Sequence, residues 1–326
     1  MEHKPNKTEL ISILICSRDR HDDLASLVHS LNKTAPSLPK EIVVVEETHK
    51  PAPIDGVKYI SHPVLNRGIP YARNLAVTQA SGEIILFLDD DCLITENWFD
   101  TLVEPFQDDT VVGVQGGVTV PFGTNSFGWA ESILGFPGGG IRRVVEAKGE
   151  IGETTEISTL NCAYRKWVIE KVGGFDENLT LGSEDYLLAK QACLYGRCLF
   201  VPNALVFHEP RGSLKKIWRW FVRRGRAEMR LVKLRRIEET NLGSILRRSI
   251  TCKFILVVLV GVFSPGFFTA LLVLALLAYA ILQFVRYFGP WKLSKAPLTT
   301  FFLLPLVKLV MDLATDWGRV RESFFD

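Results

Sequence analysis

The 326-residue chain predicts an α/β domain built around a mainly parallel sheet, followed by a basic helical stretch and C-terminal membrane helices. Three observations carry this reading. Short apolar runs alternate with amphipathic ones from Ile11 to His208, two of those runs end abruptly in clustered carboxylates, and a block rich in Lys and Arg leads into long uncharged segments. Strands alternating with helices at this spacing indicate βαβ units. The expected boundaries are a globular α/β domain over 1–210, a basic amphipathic interfacial region over 211–248 and membrane-associated helices over 249–326.

Ile11-Ser12-Ile13-Leu14-Ile15-Cys16 is apolar enough for a buried first strand, and His21 to Asn32, with Leu24, Leu27, Val28 and Leu31 at helical spacing, forms the helix after it. The polar turn Ser17-Arg18-Asp19-Arg20 lies between them. A second strand, Ile42 to Val45, ends in Glu46-Glu47. A third, Val57 to Ile60, leads through Asn66-Arg67-Gly68 to a helix over Tyr71 to Gln79, and the strand Glu83 to Leu88 then ends in Asp89-Asp90-Asp91.

Beyond the acidic triplet a helix is expected over Glu96 to Phe106, and a hairpin at Gly116-Gly117 within Val111 to Val120. Pro121 to Glu156 is glycine-rich and weakly patterned, the signature of a functional loop. A strand at Asn161 to Arg165, a short helix to Val172 and a helix over Tyr186 to Leu194 follow, the last opened by Gly182-Ser183-Glu184-Asp185. Ser183 suits an N-cap, and the two acids after it suit a first turn, where the helix dipole favours negative charge. Leu199 to His208 resumes strand character before a basic helix from Leu214.

The acidic strand ends point to chemistry. All parallel strands leave their C-terminal ends on one edge of the sheet, and in open α/β sheets ligands bind at that edge. Adjacent carboxylates repel one another unless something positive sits among them. A hard divalent cation carrying phosphates fits, since Mg²⁺ is usually held by one or two carboxylates together with substrate phosphates. No GxGxxG follows the first strand and no GxxxxGK[ST] occurs anywhere, so a glycine-rich phosphate cradle of Rossmann or P-loop type is excluded and metal must neutralise the charge.

The net charge of +2 says little, but its distribution does: Arg211 to Lys253 holds fourteen Lys and Arg against Glu228, Glu238 and Glu239. Phe254 to Phe263 and Phe267 to Phe284 follow, with Arg247, Arg248 and Lys253 before them and Arg286, Lys292 and Lys295 after. These are expected to be membrane segments with positive-inside flanks, paired as a helical hairpin through Ser264-Pro265-Gly266. Pro297 to Ala314, interrupted by Pro305, is expected as a third packed segment or an interfacial helix. The six cysteines lack CxxC or zinc spacing and read as reduced thiols, and Met1 to Leu10 has no apolar core of a signal peptide. If the first 250 residues are not exported, the globular part is expected to face the cytoplasm.

The ordered segments ISILICSRDR, IVVVEE, NRGIPYARNLAVTQASGEIILFLDDDC, NCAYRKWVIEKVGGFDENLTLGSEDYLLAKQA and VFHEP resemble the inverting family 2 glycosyltransferases with the GT-A fold, a Rossmann-like mixed sheet. The resemblance spans residues 10 to 230 or so. It implies a nucleotide-sugar donor, an Mn²⁺ or Mg²⁺ cofactor and an acceptor that is lipid-linked or close to the membrane. Asp89, Asp90 and Asp91 fall on the DXD position, with Asp91 and Asp89 toward the metal and Asp89 and Asp90 toward the ribose. Cys16, Arg18, Glu46, Glu47 and Arg73 fall on positions lining the nucleotide. Asp185, in the Glu184-Asp185 motif, falls on the catalytic base, and His208 on a further metal ligand. The segment Pro121 to Glu156 is then assigned to the acceptor side. Two features depart from the common pattern: Glu46-Glu47 stands where Asp is usual, and Arg18 replaces a frequent Tyr, which leaves the nucleoside open.

His3, His21, His29, His49 and His62 show no partner pattern and are assigned no role. Trp218, Trp220 and Phe221 among Arg219, Arg223, Arg224 and Arg226 favour a membrane interface with anionic headgroups over nucleic acid. Two other readings are weighed: a sugar-phosphate nucleotidylyltransferase, which lacks its glycine-rich first loop here, and a catalytically silent nucleotide-sugar-binding scaffold.

Overall fold

The computed structural model describes residues 10–33, 40–236, 242–262 and 265–325. The polar stretch before Leu10 and part of the turn expected at Ser264 lie outside the described residues. The chain divides into two compact units, the first comprising Met1–Thr119, Ala147–Thr180 and Glu184–Glu209, the second Val120–Glu146, Leu181–Ser183 and Pro210–Asp326.

The first unit is a sheet with helices on both faces. In chain order it contains β1 (Ile11–Arg18), α1 (His21–Lys33), β2 (Lys40–Glu47), β3 (Lys58–His62), α2 (Ile69–Gln79), β4 (Ile84–Asp89), β5 (Cys92–Ile94), α3 (Trp98–Val103) and β6 (Val111–Thr119). The helices α4 (Ser126–Ile133) and α5 (Gly140–Ala147) intervene, and then come β7 (Gly152–Glu153), β8 (Asn161–Arg165), α6 (Lys166–Lys171), α7 (Glu184–Ala192) and β9 (Arg197–His208). The nine strands run β3-β2-β1-β4-β8-β6-β9-β5, with β7 on β9. The half from β3 to β4 is parallel, whereas β8 lies antiparallel between β4 and β6, so the sheet is mixed.

Strand periodicity explains why both faces are covered. Ile11, Ile13 and Ile15 of β1 and Ile84, Leu86 and Leu88 of β4 point into one core with α1 and α3. Leu14, Ile85 and Phe87 point into the other with α2, α6 and α7. A strand buried on both faces therefore reads as a continuous apolar run.

Four expectations are corrected. Val111–Thr119 is one strand, and Gly116-Gly117 marks a register shift rather than a hairpin. The cause is close packing: a Cβ on Gly116 would lie 2.3 Å from Asn161 Nδ2 and 2.6 Å from the Ala204 carbonyl. Pro121 to Glu156 contains α4 and α5, with Asn125 capping α4 by accepting from the N–H groups of Phe127 and Gly128. Ser183 has φ 73°, outside the extended conformation of an N-cap residue. Finally, Pro305 does not break the third apolar segment, which runs on as one long helix.

The second unit adds α8 (Leu214–Lys233), α9 (Leu242–Arg248), α10 (Ile250–Val262), α11 (Pro265–Ser294) and α12 (Leu298–Phe324). Phe268–Ser294 and Leu298–Phe324 are long and apolar enough to cross a membrane; the apolar helix Ile250–Leu259 is shorter. The helix α8 is amphipathic, burying Ile217, Phe221, Ala227, Met229 and Leu231. It crosses α12 at backbone contact, where a Cβ on Gly225 would meet the Thr315 carbonyl at 2.0 Å and one on Gly318 the Val222 carbonyl at 2.1 Å. Ion pairs close the seam, with Arg226 Nε 3.0 Å from Glu322 Oε2 and Arg319 Nη2 2.6 Å from Glu228 Oε2.

One buried polar node organises the β4 side of the first unit. Asn161, fully buried, accepts from Trp98 Nε1 at 2.8 Å and donates through Nδ2 to the carbonyls of Gly117 and Ala204, both at 2.9 Å. Replacing it by Leu leaves one donor and two acceptors unpaired, each costing about 1–3 kcal/mol. Asn161→Leu is therefore expected to lose about 3 kcal/mol or more in denaturant unfolding of the detergent-solubilised protein, and Trp98→Phe, which removes one bond, distinctly less. Equal stability of Asn161→Leu and parent would remove this node from the account.

Candidate active site

Because β1 and β4 are parallel neighbours with Cys16 opposite Asp89, the acidic end of β4 emerges beside the end of β1. The strand β5 runs antiparallel to β9 with Cys92 opposite His208, which carries His208 back to the turn holding Asp90 and Asp91. Topology thus brings together residues far apart in sequence. One ligand atom each from Asp89, Asp91 and His208 lies within 4.8 Å of the others, and His208 Nε2 is 3.3 Å from Asp91 Oδ1.

This group fits a divalent cation. Two carboxylates and an imidazole are a donor set for Mn²⁺ as well as Mg²⁺. Asp91 Oδ1 and His208 Nδ1 are buried and have no hydrogen-bond partner among the described residues. Burial raises the Asp89 carboxyl above the ordinary carboxylate range, against the pull of Arg73, and a cation alongside would hold it ionised. Asp90 is more deeply buried, at 2% exposure, and burial pushes it up to about 6 despite Arg20.

Arg20, which follows β1, binds both acids: its guanidinium contacts Asp90, and Nη1 lies 2.8 Å from Asp91 Oδ2. Arg18, two residues earlier, is half-exposed and donates to Asn66 Oδ1 at 2.8 Å, with Nε 3.5 Å from Glu47 Oε2. The sequence alone does not choose between two arginines in one polar turn. Strand alternation and the turn at Asp19, with φ 50°, decide it.

Glu46 and Glu47 end β2 as expected, but protein groups occupy both carboxylates. Glu46, 1% exposed, accepts from the Tyr59 hydroxyl and lies 3.6 Å from His21 Nδ1, so His21 has a partner after all. Burial, with Glu46 adding to it, raises the Tyr59 phenol to about 12. Glu47 Oε1 accepts from the N–H groups of Leu65 at 2.9 Å and Asn66 at 3.0 Å and so shapes the loop before α2. Burial pushes the Cys16 thiol up to about 12, keeping it neutral. Tyr59, Asn66 and Arg20 were not singled out in the sequence, since their partners lie in other segments.

Arg73 and Glu184 form a second, buried group. Arg73 Nη1 donates to Glu184 Oε1 at 2.6 Å, Nη2 is 3.7 Å from Asp89 Oδ1, and the guanidinium sits 5.7 Å from the Phe175 ring. Burial and the neighbouring Asp185 raise Glu184 to about 7, with Arg73 pulling the other way. Asp185 is only half-buried, its Oδ1 accepting from the Tyr186 N–H at 2.8 Å. The adjacent acids therefore differ in kind: one is locked in an ion pair and the other is open to solvent.

Residues 12–173 match the model of Glycosyl transferase family 2. The Haloferax volcanii glucosyl-dolichyl phosphate glucuronosyltransferase is 24% identical over 56% of this chain and 61% of its own length. The Rhizobium meliloti succinoglycan biosynthesis protein ExoM is 27% identical over 68% of this chain and 73% of its own. The chain thus spans less than two thirds of the Haloferax relative. Among solved structures, the mannosyltransferase PcManGT from Pyrobaculum calidifontis, in complex with GDP-Man and Mn²⁺, superposes with a TM-score of 0.57 at 16% identity, covering 98% of this chain and 88% of that one. Family match and fold converge: residues 12–173 constitute a family 2 glycosyltransferase domain, carried on a sheet of the GT-A type.

Proposed function

We propose that the protein is a membrane-attached, divalent-cation-dependent glycosyltransferase that moves a sugar from a nucleotide-sugar donor to a lipid-linked or membrane-proximal hydroxyl with inversion. The observation that carries this is the meeting of Asp89, Asp91 and His208 at one strand edge, joined through Arg73 and Glu184 to the helix that bears Asp185. The family 2 domain and the lipid-phosphate substrate named for the Haloferax relative support the donor and acceptor classes. The domain would face the cytoplasm, with attachment through α10, α11 and the apolar first half of α12.

Asp89, Asp91 and His208 would hold Mn²⁺ or Mg²⁺, which when bound supplies positive charge to the donor's diphosphate. The remaining work falls to the chain's own groups. Asp185, half-exposed at the start of α7, would accept the proton of the attacking hydroxyl. Glu184 is unsuited to that task, being 5% exposed and bonded to Arg73. A single displacement with the base on the face opposite the leaving group inverts the anomeric centre. Arg18 and the Glu47-shaped loop at Leu65 and Asn66 would border the nucleoside, and Arg20 holds Asp90 and Asp91 in position.

Asp185→Asn is expected to lower transfer by about 10²–10⁴-fold, the usual range for a positioned base, while donor affinity in Mn²⁺ stays unchanged. Undiminished transfer in the variant would rule out Asp185 as the base, a parent that binds donor without transferring it would favour a silent nucleotide-sugar-binding scaffold, and release of diphosphate in place of nucleoside diphosphate would favour a nucleotidylyltransferase. Ligand binding to the folded state raises apparent stability. Nucleoside diphosphates and their sugars are accordingly expected to raise the melting temperature of the parent only with Mn²⁺ or Mg²⁺ present. In Asp91→Ala, Mn²⁺ binding read by electron paramagnetic resonance is expected to weaken about tenfold or more, as for loss of one ligand-holding interaction of a metal site. A parent that binds no nucleotide sugar under any of these conditions rules the reading out.

A further inference from the structure

Arg73 is 7% exposed and Glu184 5%, so the pair they form lies inside the first unit. One nitrogen of Arg73 is 2.6 Å from Glu184 and the other is 3.7 Å from Asp89. The guanidinium therefore spans a carboxylate of the metal-ligating group, on β4, and the first residue of α7. The next residue of that helix is Asp185. The two residues entering α7, Gly182 and Ser183, both have positive φ, 126° and 73°. The φ of Ser183 is disfavoured for a side chain-bearing residue. Something beyond local geometry must hold the turn.

We propose that the buried Arg73–Glu184 ion pair is a positioning device, setting the first turn of α7, and with it Asp185, against the Asp89 edge of the metal-ligating group. On this assignment Arg73 is not a nucleotide contact and Glu184 does not move a proton. The proposal rests on the glycosyltransferase reading above. Its physical basis is the cost of separating buried charges: a shift of α7 would strand Glu184 without its cation, and an uncompensated buried charge is strongly destabilising. The planar fork of arginine serves two carboxylates at once, which the point charge of lysine does not. The second carboxylate oxygen of Glu184, Oε2, is buried with no hydrogen-bond partner among the described residues, so Arg73 is the anchor of this side chain. A base misplaced by about 1 Å can lower turnover about 10²-fold.

The test uses the protein in detergent and the double variant Arg73→Met/Glu184→Gln, which removes both charges while keeping the side-chain length at 184 and an unbranched, shorter side chain at 73. Neutral replacement of a buried pair is often tolerated by the fold. Three quantities are read in parallel: Mn²⁺ affinity by electron paramagnetic resonance without substrate, nucleotide-sugar affinity in Mn²⁺, and turnover with acceptor. Turnover is expected to fall about 10²-fold. Donor affinity is expected to stay within about threefold, and Mn²⁺ to bind as tightly or more tightly, since a cation beside Asp89 has been removed. Arg73→Lys is expected to recover only part of the turnover.

Turnover of the double variant within about threefold of the parent overturns the proposal and makes the pair merely structural, because a shift of that size is under 1 kcal/mol. A parallel loss of Mn²⁺ or donor affinity overturns it too, since Arg73 would then be part of the binding surface. If the double variant does not fold, Glu184→Gln alone carries the same expectation and the same refutations for turnover and donor affinity; Mn²⁺ affinity is not used there, because Arg73 stays beside Asp89. A parent without nucleotide-sugar binding sinks the glycosyltransferase reading, whereas an active parent with an active double variant sinks only the role of the pair.

Discussion

Carboxylates gathered at the end of one buried strand must be compensated, and much of the first unit is arranged around that requirement. Asp89, Asp90 and Asp91 follow one another where β4 leaves the sheet, and all three are at least partly buried. Three different elements answer them. Arg20 comes from the turn after β1, Arg73 from α2 and His208 from the end of β9. Within such an interior an unpaired charge costs several kcal/mol, so the positions of these elements are coupled to the acids they neutralise. The two arginines do not reach every acid oxygen: Asp91 Oδ1 remains without a hydrogen bond beside His208.

The same economy of charge separates Glu184 from Asp185. Neighbours in sequence, they sit about 100° apart around the helix axis, as the α-helical repeat of about 3.6 residues requires. Glu184 is turned inward to Arg73, and Asp185 stays half-exposed. An acidic pair at a helix start is commonly explained by the helix dipole. Here the inward acid is instead committed to a buried cation, while the outward one keeps access to solvent.

The second unit follows a different logic. Its helices α10 and α11 expose Ile255, Leu256, Leu274, Leu282 and other apolar side chains, a surface suited to lipid. The polar end of α12 does not resemble that surface. Asp316 accepts from Ser249 Oγ at 2.8 Å and pairs with Arg319, and Glu322 is enclosed by Arg226 and Arg230. The helix is thus apolar along one half and stitched into α8 and the start of α10 along the other. Backbone contact at Gly225 and Gly318 allows that seam because neither helix carries a side chain at the crossing.

Much of this was legible in the sequence because burial and periodicity are local signals. The strands β1, β2 and β4, the helices α1 and α2, the acidic strand ends and the apolar C-terminal helices all follow from runs of adjacent residues, and the family 2 motifs lie in those same runs. The sequence by itself therefore determined the α/β class and nominated Asp89, Asp91, Asp185 and His208. Tertiary structure decided what is made between distant segments. It turned Gly116-Gly117 into a bulge against Asn161, gave His21 and Tyr59 to Glu46, chose Arg20 over Arg18 for the acidic triplet and took Arg73 inward to Glu184. The physical reason is that periodicity tells which side of an element is buried, while the partner a buried charge meets depends on which strands the sheet topology makes neighbours.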